Sequence, residues 1–112
     1  MAGLTNYLCT ERKRHSLRQK DVARLLGISR PTVGRYEADQ RPVSALLIVA
    51  GEVIYGKRAA ELFPAFYRTT QEAIGAEALA LLEELEGLED EESIKRRKLL
   101  AGIPGRTTAF DA

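Results

Sequence analysis

Apolar residues recur three and four positions apart along this chain, and no stretch alternates apolar and polar residues as a half-buried strand requires. The pattern predicts an all-α protein. It is clearest in QKDVARLLGISRPTVGRYE, Gln19 to Glu37, where Val22, Ala23 and Leu26 share one helical face and Val33 and Tyr36 share another. A single glycine separates the two segments, so two helices are expected to meet at a tight corner. Ala23 is small where the second helix must come close. Gly27 is free to take the positive φ that ends the first helix, and Val33 is placed to plug the corner. Ser29 is the expected N-cap of the second helix, and Pro31 suits its first turn, where an N–H has no intrahelical partner to lose.

The flanking segments extend the helical reading. Leu4, Tyr7 and Leu8 give a first helix with one apolar face, and the next helix opens near Arg18. Ala38 to Pro42 reads as a loop, since Pro42 disfavours helix before it and Asp39 supports a turn. Ser44 is then expected to cap a fourth helix, and Gly56 to stop it. In that helix Leu46, Leu47, Val49, Ala50, Val53 and Ile54 form a belt wide enough to be mostly buried. From about Ala65 to Glu86 one long helix is predicted, with Tyr67, Thr70, Ile74, Ala78, Leu81, Leu85 and Leu88 spaced almost as a heptad seam. Gly75 weakens it by ~1 kcal/mol relative to alanine, and Gly87 terminates it. A short last helix follows, with Asp90, Glu91 and Glu92 at its positive end and Lys95, Arg96, Arg97 and Lys98 towards its negative end. Ile94, Leu99 and Leu100 give it an apolar edge. Gly102 and Pro104 are expected to close it, leaving residues 104–112 as a disordered tail.

Length and composition narrow the class. A chain of 112 residues suits one compact helical domain with an appended arm, and a single cysteine, Cys9, forms no intramolecular disulfide. The longest apolar stretch, Val43 to Ala50, is interrupted by Ser44 and falls far short of the ~20 residues that cross a bilayer. A cytoplasmic location without membrane contact is the expectation. The net charge of +1 hides an asymmetry: residues 1–58 carry +6 and residues 59–112 carry −5. A basic first half suits phosphate contacts, whereas an acidic second half is repelled by nucleic acid and is expected to point away from it.

The segment from Gln19 onward resembles the lambda-repressor/Cro-type helix-turn-helix family. Gln19, Ala23, Gly27 and Val33 match its motif in register. Leu4 to Arg14 looks like the family's first helix, Ser44 to Tyr55 its fourth, and Gly56 to Phe63, GKRAAELF, its fifth. The resemblance implies a five-helix DNA-binding domain over residues 1–63, followed by a helical arm over 64–103. It also implies that the recognition helix, about Arg30 to Glu37, lies in the major groove, with Arg30, Pro31, Gly34 and Arg35 towards the bases. Arginine pairs bidentately with guanine O6 and N7, so Arg35 and Arg30 are the base-reading candidates; the plainer reading for either is a phosphate contact. Gln19 resembles the residue that binds a phosphate at a helix start, and Thr32 and Arg41 are further phosphate candidates. Gly34 departs from the larger polar residue often found there, and Ala38-Asp39 from the family's Asn-Gly. Arg12 and Glu37 match a salt-bridged pair of the family.

No enzyme chemistry stands out. Cys9 and His15 lie six apart and do not face the same way on a helix, so a structural or surface role outweighs a metal or nucleophile reading. Glu83-Glu84 and Glu91-Glu92 lie in charge runs that read as solvated helix faces. No phosphate-cradling glycine loop, zinc spacing or hydrolase triad appears, and neither cofactor nor metal is expected. The leading function is a sequence-specific transcriptional regulator of double-stranded DNA, a repressor. Two alternatives stand beside it. One is an antitoxin or restriction-modification controller that grips a protein partner through its arm, and the other is an interaction module that reads no DNA. The stripe Tyr67, Ile74, Ala78, Leu81, Leu85 and Leu88 must be buried, either by a fold-back of the last helix that matches Lys95, Arg96 and Arg97 against Glu83, Glu84 and Glu86 or by a symmetry mate, and the two can hold together. A homodimer is the leading expectation and a purely intramolecular hairpin the alternative.

Overall fold

The computed structural model describes residues 6–109. All regular structure among them is helical: α1 (Leu8–Arg14), α2 (Gln19–Leu26), α3 (Arg30–Glu37), α4 (Ala45–Ala50) continued by a π-helical turn (Gly51–Tyr55), α5 (Ala59–Leu62), α6 (Pro64–Glu84), α7 (Glu91–Ala101) and α8 (Ile103–Ala109). The chain forms two compact units that divide between Tyr67 and Arg68. That division lies inside α6, four residues beyond the expected domain end at Phe63, and it leaves Tyr67 with the first unit rather than with the arm.

In the first unit the corner between α2 and α3 forms as the spacing requires. Gly27 takes φ 70°, and the Ile28 N–H closes on the Ala23 carbonyl at 3.0 Å, so α2 stops within one residue. Val22, Ala23 and Val33 are buried together there, with Leu17, Leu26 and Ile28 against them. A second cluster, Leu8, Leu47, Leu62 and Phe63, joins α1, α4 and α5, with Leu26, Val43, Tyr36 and Tyr55 packed on it. Leu26 thus belongs to both. The start of α1 is set by Asn6, whose side-chain oxygen accepts the Leu8 N–H at 3.1 Å, while the Tyr7 N–H donates to the Leu62 carbonyl at 2.8 Å. Leu4, expected on the first helix, lies outside the described residues.

The fourth helix differs from expectation in two ways. Ser44 occupies the N-cap position, yet its side chain makes no cap bond. The apolar belt is buried on one side only: Leu47 and Gly51 are buried and Ala50 and Ile54 half-buried, whereas Leu46, Val49 and Val53 face outward, Val53 at 78% exposure. A domain of this size has a core on one side of the helix, so an all-round apolar sequence still leaves one face wet. Gly51 is required by packing. A methyl group built on it would overlap the buried Leu62 side chain, and Gly56 at φ 65° ends the segment.

In the second unit, α6 runs through Gly75 without a break and the chain turns at Gly87, φ 81°. Asp90 caps α7 by accepting the Ser93 N–H at 3.0 Å. The expected cross-pairing of basic α7 with acidic α6 does not form. Lys95 and Arg96 pair with Glu91 and Glu92 one turn back on their own helix, at 3.4 and 3.5 Å, where i, i+4 geometry is already satisfied. Arg97 instead donates to the carbonyls of Leu85 and Leu88 near the end of α6, with Glu89 at 3.8 Å. The expected disordered tail over residues 104–112 is also corrected, because the chain is helical through Ala109; residues 110–112 of that tail lie outside the described residues. Pro104 is the second residue of α8. There its missing N–H removes no helical bond, so it starts a helix instead of ending order.

Candidate nucleic-acid interface

Ser29 fixes the entry of α3 by accepting the Thr32 N–H at 3.2 Å, and its hydroxyl meets that of Thr32 at 2.7 Å. Thr32, a phosphate candidate, is therefore half-buried and turned towards its own cap. With Val33 fixed inward at 3% exposure, the opposite face of α3 is set by helical periodicity. Pro31 and Arg35 are exposed on that side, Arg30 is exposed on the flank nearer Val33, and Gly34 is half-buried between Arg30 and Arg35. The two arginines are thus carried on one rigid, capped helix.

Where α1, α2 and the C-terminal end of α3 meet lies a connected polar cluster. Arg12 on α1 donates to Glu37 through Nε at 2.7 Å and Nη2 at 3.1 Å, and through Nη1 to the Leu17 carbonyl at 3.0 Å. Cys9 Sγ lies 3.5 Å from Nη2, which gives this cysteine a structural setting. The Glu37 hydrogen bonds raise the Arg12 pKa above its ordinary value, against the lowering effect of burial. Gln19 joins the same carboxylate, with Nε2 3.2 Å from Glu37 Oε1. Arg12, Gln19 and Glu37 are therefore brought to one place, and the Gly34 position adjoins the Gln19 amide. Burial, followed by the charge of Glu37, pushes the Tyr55 phenol up from its ordinary value.

The remaining candidates sit around this centre. The exposed Arg41 places its guanidinium 5.7 Å from the Tyr36 ring centroid, a cation–π contact that holds the loop after α3 against that helix. Asp39 adopts φ 59° in the turn, the left-handed conformation that aspartate tolerates better than most residues. At the start of α2, Asp21 accepts from both the backbone and the guanidinium of Arg18, at 2.8 and 3.1 Å; those bonds hold its carboxyl below the ordinary range. His15 stacks on Tyr55 with ring centroids 5.8 Å apart and lies 3.7 Å from the buried Glu11. No cluster of three or more metal-ligating side chains occurs among the described residues, and no helix there is long and apolar enough to cross a membrane.

Asn6 was not singled out by sequence pattern. Its amide nitrogen donates to the Tyr36 carbonyl at 3.2 Å, so one residue starts α1 and anchors the end of α3. The available signal was an N-cap type residue just before an apolar helix. The C-terminal stripe is brought to unequal depths: Ala78 is buried and Leu85 half-buried, while Ile74, Leu81 and Leu88 are 51%, 45% and 46% exposed.

A family model described as helix-turn-helix matches residues 10–62. That span covers α1 from its third residue to the end of α5. No curated protein and no solved structure matches the chain.

Proposed function

Because residues 10–62 are a helix-turn-helix domain of the lambda-repressor-like family, we propose that the protein is a sequence-specific double-stranded DNA-binding transcriptional regulator that represses by occupying an operator. One observation carries this reading: Arg35 stands exposed on the face of α3 opposite buried Val33 and Arg30 on the exposed flank beside it, on a helix capped by Ser29 and braced by the Arg12–Glu37 pair. A braced helix presents its side chains to the major groove with little left to order on binding. Arg35 and Arg30 supply guanine contacts, and Arg41 and the N-terminal end of α2 supply phosphate contacts. The +6 charge of residues 1–58 supports the same placement.

Homodimerisation through the second unit belongs to this reading. Ile74, Leu81 and Leu88 remain about half exposed, which supports burial against a symmetry mate. The same stripe would equally seat a protein partner, as the antitoxin or controller alternative requires. Selection of bound duplexes from a random library, followed by titration at rising salt, tests the proposal. The expected result is a near-palindromic site whose affinity falls steeply with salt. Failure to retain any duplex at low salt would leave the interaction-module reading in its place.

A further inference from the structure

We infer that the side chain of Gln19 reads a base, taking the place that Gly34 leaves vacant on the recognition face. The inference rests on the DNA-binding reading above and adds a specificity-determining residue contributed by α2 rather than α3.

Three observations carry it. First, a Cβ built on Gly34 would lie 3.7 Å from Gln19 Nε2, ordinary van der Waals contact. The Gln19 amide therefore lies within reach of the outer atoms of a longer residue-34 side chain, against the helix that carries the exposed Arg30, Pro31 and Arg35. Second, the amide is held. Its Nε2 donates to Glu37 Oε1 at 3.2 Å, and Arg12 fixes that carboxylate at two points. Third, its orientation follows from chemistry: a carboxylate only accepts hydrogen bonds, so the nitrogen of the amide, not the oxygen, must face Glu37.

An amide that gives one N–H to Glu37 retains its second N–H and its carbonyl oxygen. Those two groups are what pairs with N7 and N6 of adenine in the major groove. Glu37 is thus a positioning residue, and Arg12 positions Glu37. The carboxylate at the end of the recognition helix gains a reason: it holds a neutral donor–acceptor pair beside Gly34.

The test selects duplexes from a random library with the full chain as wild type, Gln19→Ala, Gly34→Gln and Gly34→Ala, each first shown to melt cooperatively. Wild type is expected to prefer an A·T pair that Gln19→Ala no longer distinguishes, a loss of about 5- to 150-fold at that pair, with the rest of the motif intact. Gly34→Gln, whose side chain displaces the Gln19 amide, should alter preference at the same pair. Gly34→Ala, with its methyl at ordinary contact distance, should leave the motif unchanged. An even weakening of all sites by Gln19→Ala, or an altered preference at a different pair in Gly34→Gln, overturns the inference while DNA binding stands. If wild type selects no duplex, the DNA-binding reading falls and takes this one with it.

Discussion

Arg12 and Glu37, twenty-five residues apart, meet in a two-point ion pair whose side chains are only 11% and 8% exposed. The pair ties α1 to the C-terminal end of α3, and its outer edge holds Gln19. Breaking it removes more than one contact, because Arg12 is left with a buried charge facing only the neutral Leu17 carbonyl and Cys9 sulfur. Glu37→Gln is therefore expected to lower unfolding stability by ~3–5 kcal/mol, as stranding a buried charge does, against ~0–1 for a surface pair. Denaturant unfolding of the two proteins measures this, and a loss under ~1 kcal/mol would contradict it.

Two glycines in helical segments should respond in opposite senses. Gly51→Ala drives a methyl into the buried Leu62 and is expected to cost ~1–3 kcal/mol of the first unit's stability. Gly75→Ala, with open space where its methyl would go and no positive φ, should stabilise α6 by ~0.5–1 kcal/mol. Thermal melts showing the same sign for both would be inconsistent with the packing described.

Arg35→Ala is expected to abolish preference at one guanine-containing base pair, with a cost of ~1–3 kcal/mol on the preferred site and little on sites already mismatched there. Arg41→Ala should weaken good and poor sites alike and reduce the salt slope by about one. Gel-shift titration on a set of single-pair variants separates the two. An unchanged selected motif in Arg35→Ala would remove that arginine from base reading.

Leu81 stands 45% exposed on α6, about two turns after the 51% exposed Ile74. Leu81→Glu should split the dimer and weaken binding to a two-half-site operator while leaving affinity for a single half-site unchanged. Light scattering reads the first effect directly. A wild-type chain that scatters as a monomer at high micromolar concentration, with a selected site lacking two-fold symmetry, would eliminate the dimer.

The cap of α7 gives a pH signature. Hydrogen bonds from Ser93 hold the Asp90 carboxyl below its ordinary value of 3.8. A lowered folded-state pKa contributes stability that is present above the unfolded value and is lost as pH falls through the folded one. Helicity lost on acidification should therefore include an Asp90 component beginning near pH 3.8 and continuing below it. Asp90→Asn, which caps without titrating, should reduce that acid loss in circular dichroism. Identical acid profiles would show that the cap bond adds nothing.

The corner of α2 and α3 was legible in the sequence because its determinants are local: a residue free to take positive φ at Gly27, a cap at Ser29, proline in the first turn, and apolar periodicity at Val22, Ala23 and Val33. The Gly87 turn was legible for the same reason, and Asp90 was legible as an acid at the start of α7 though not as its cap. Residue spacing could not decide which face of an all-round apolar helix meets the core. Leu47 went in and Val53 out because α1 and α5 lie on one side only. Nor could it decide which cations an acidic run would take, and the i, i+4 carboxylates on α7 were nearer to Lys95 and Arg96 than anything on α6. Pro104 shows the same limit: one residue can stop or start a helix, and the segment after it settles which. The meeting of Gln19 with Gly34 and Glu37 was beyond sequence altogether. It depends on where the packing of Val33 against Ala23 sets two helix axes, and that distance exists only in the folded chain.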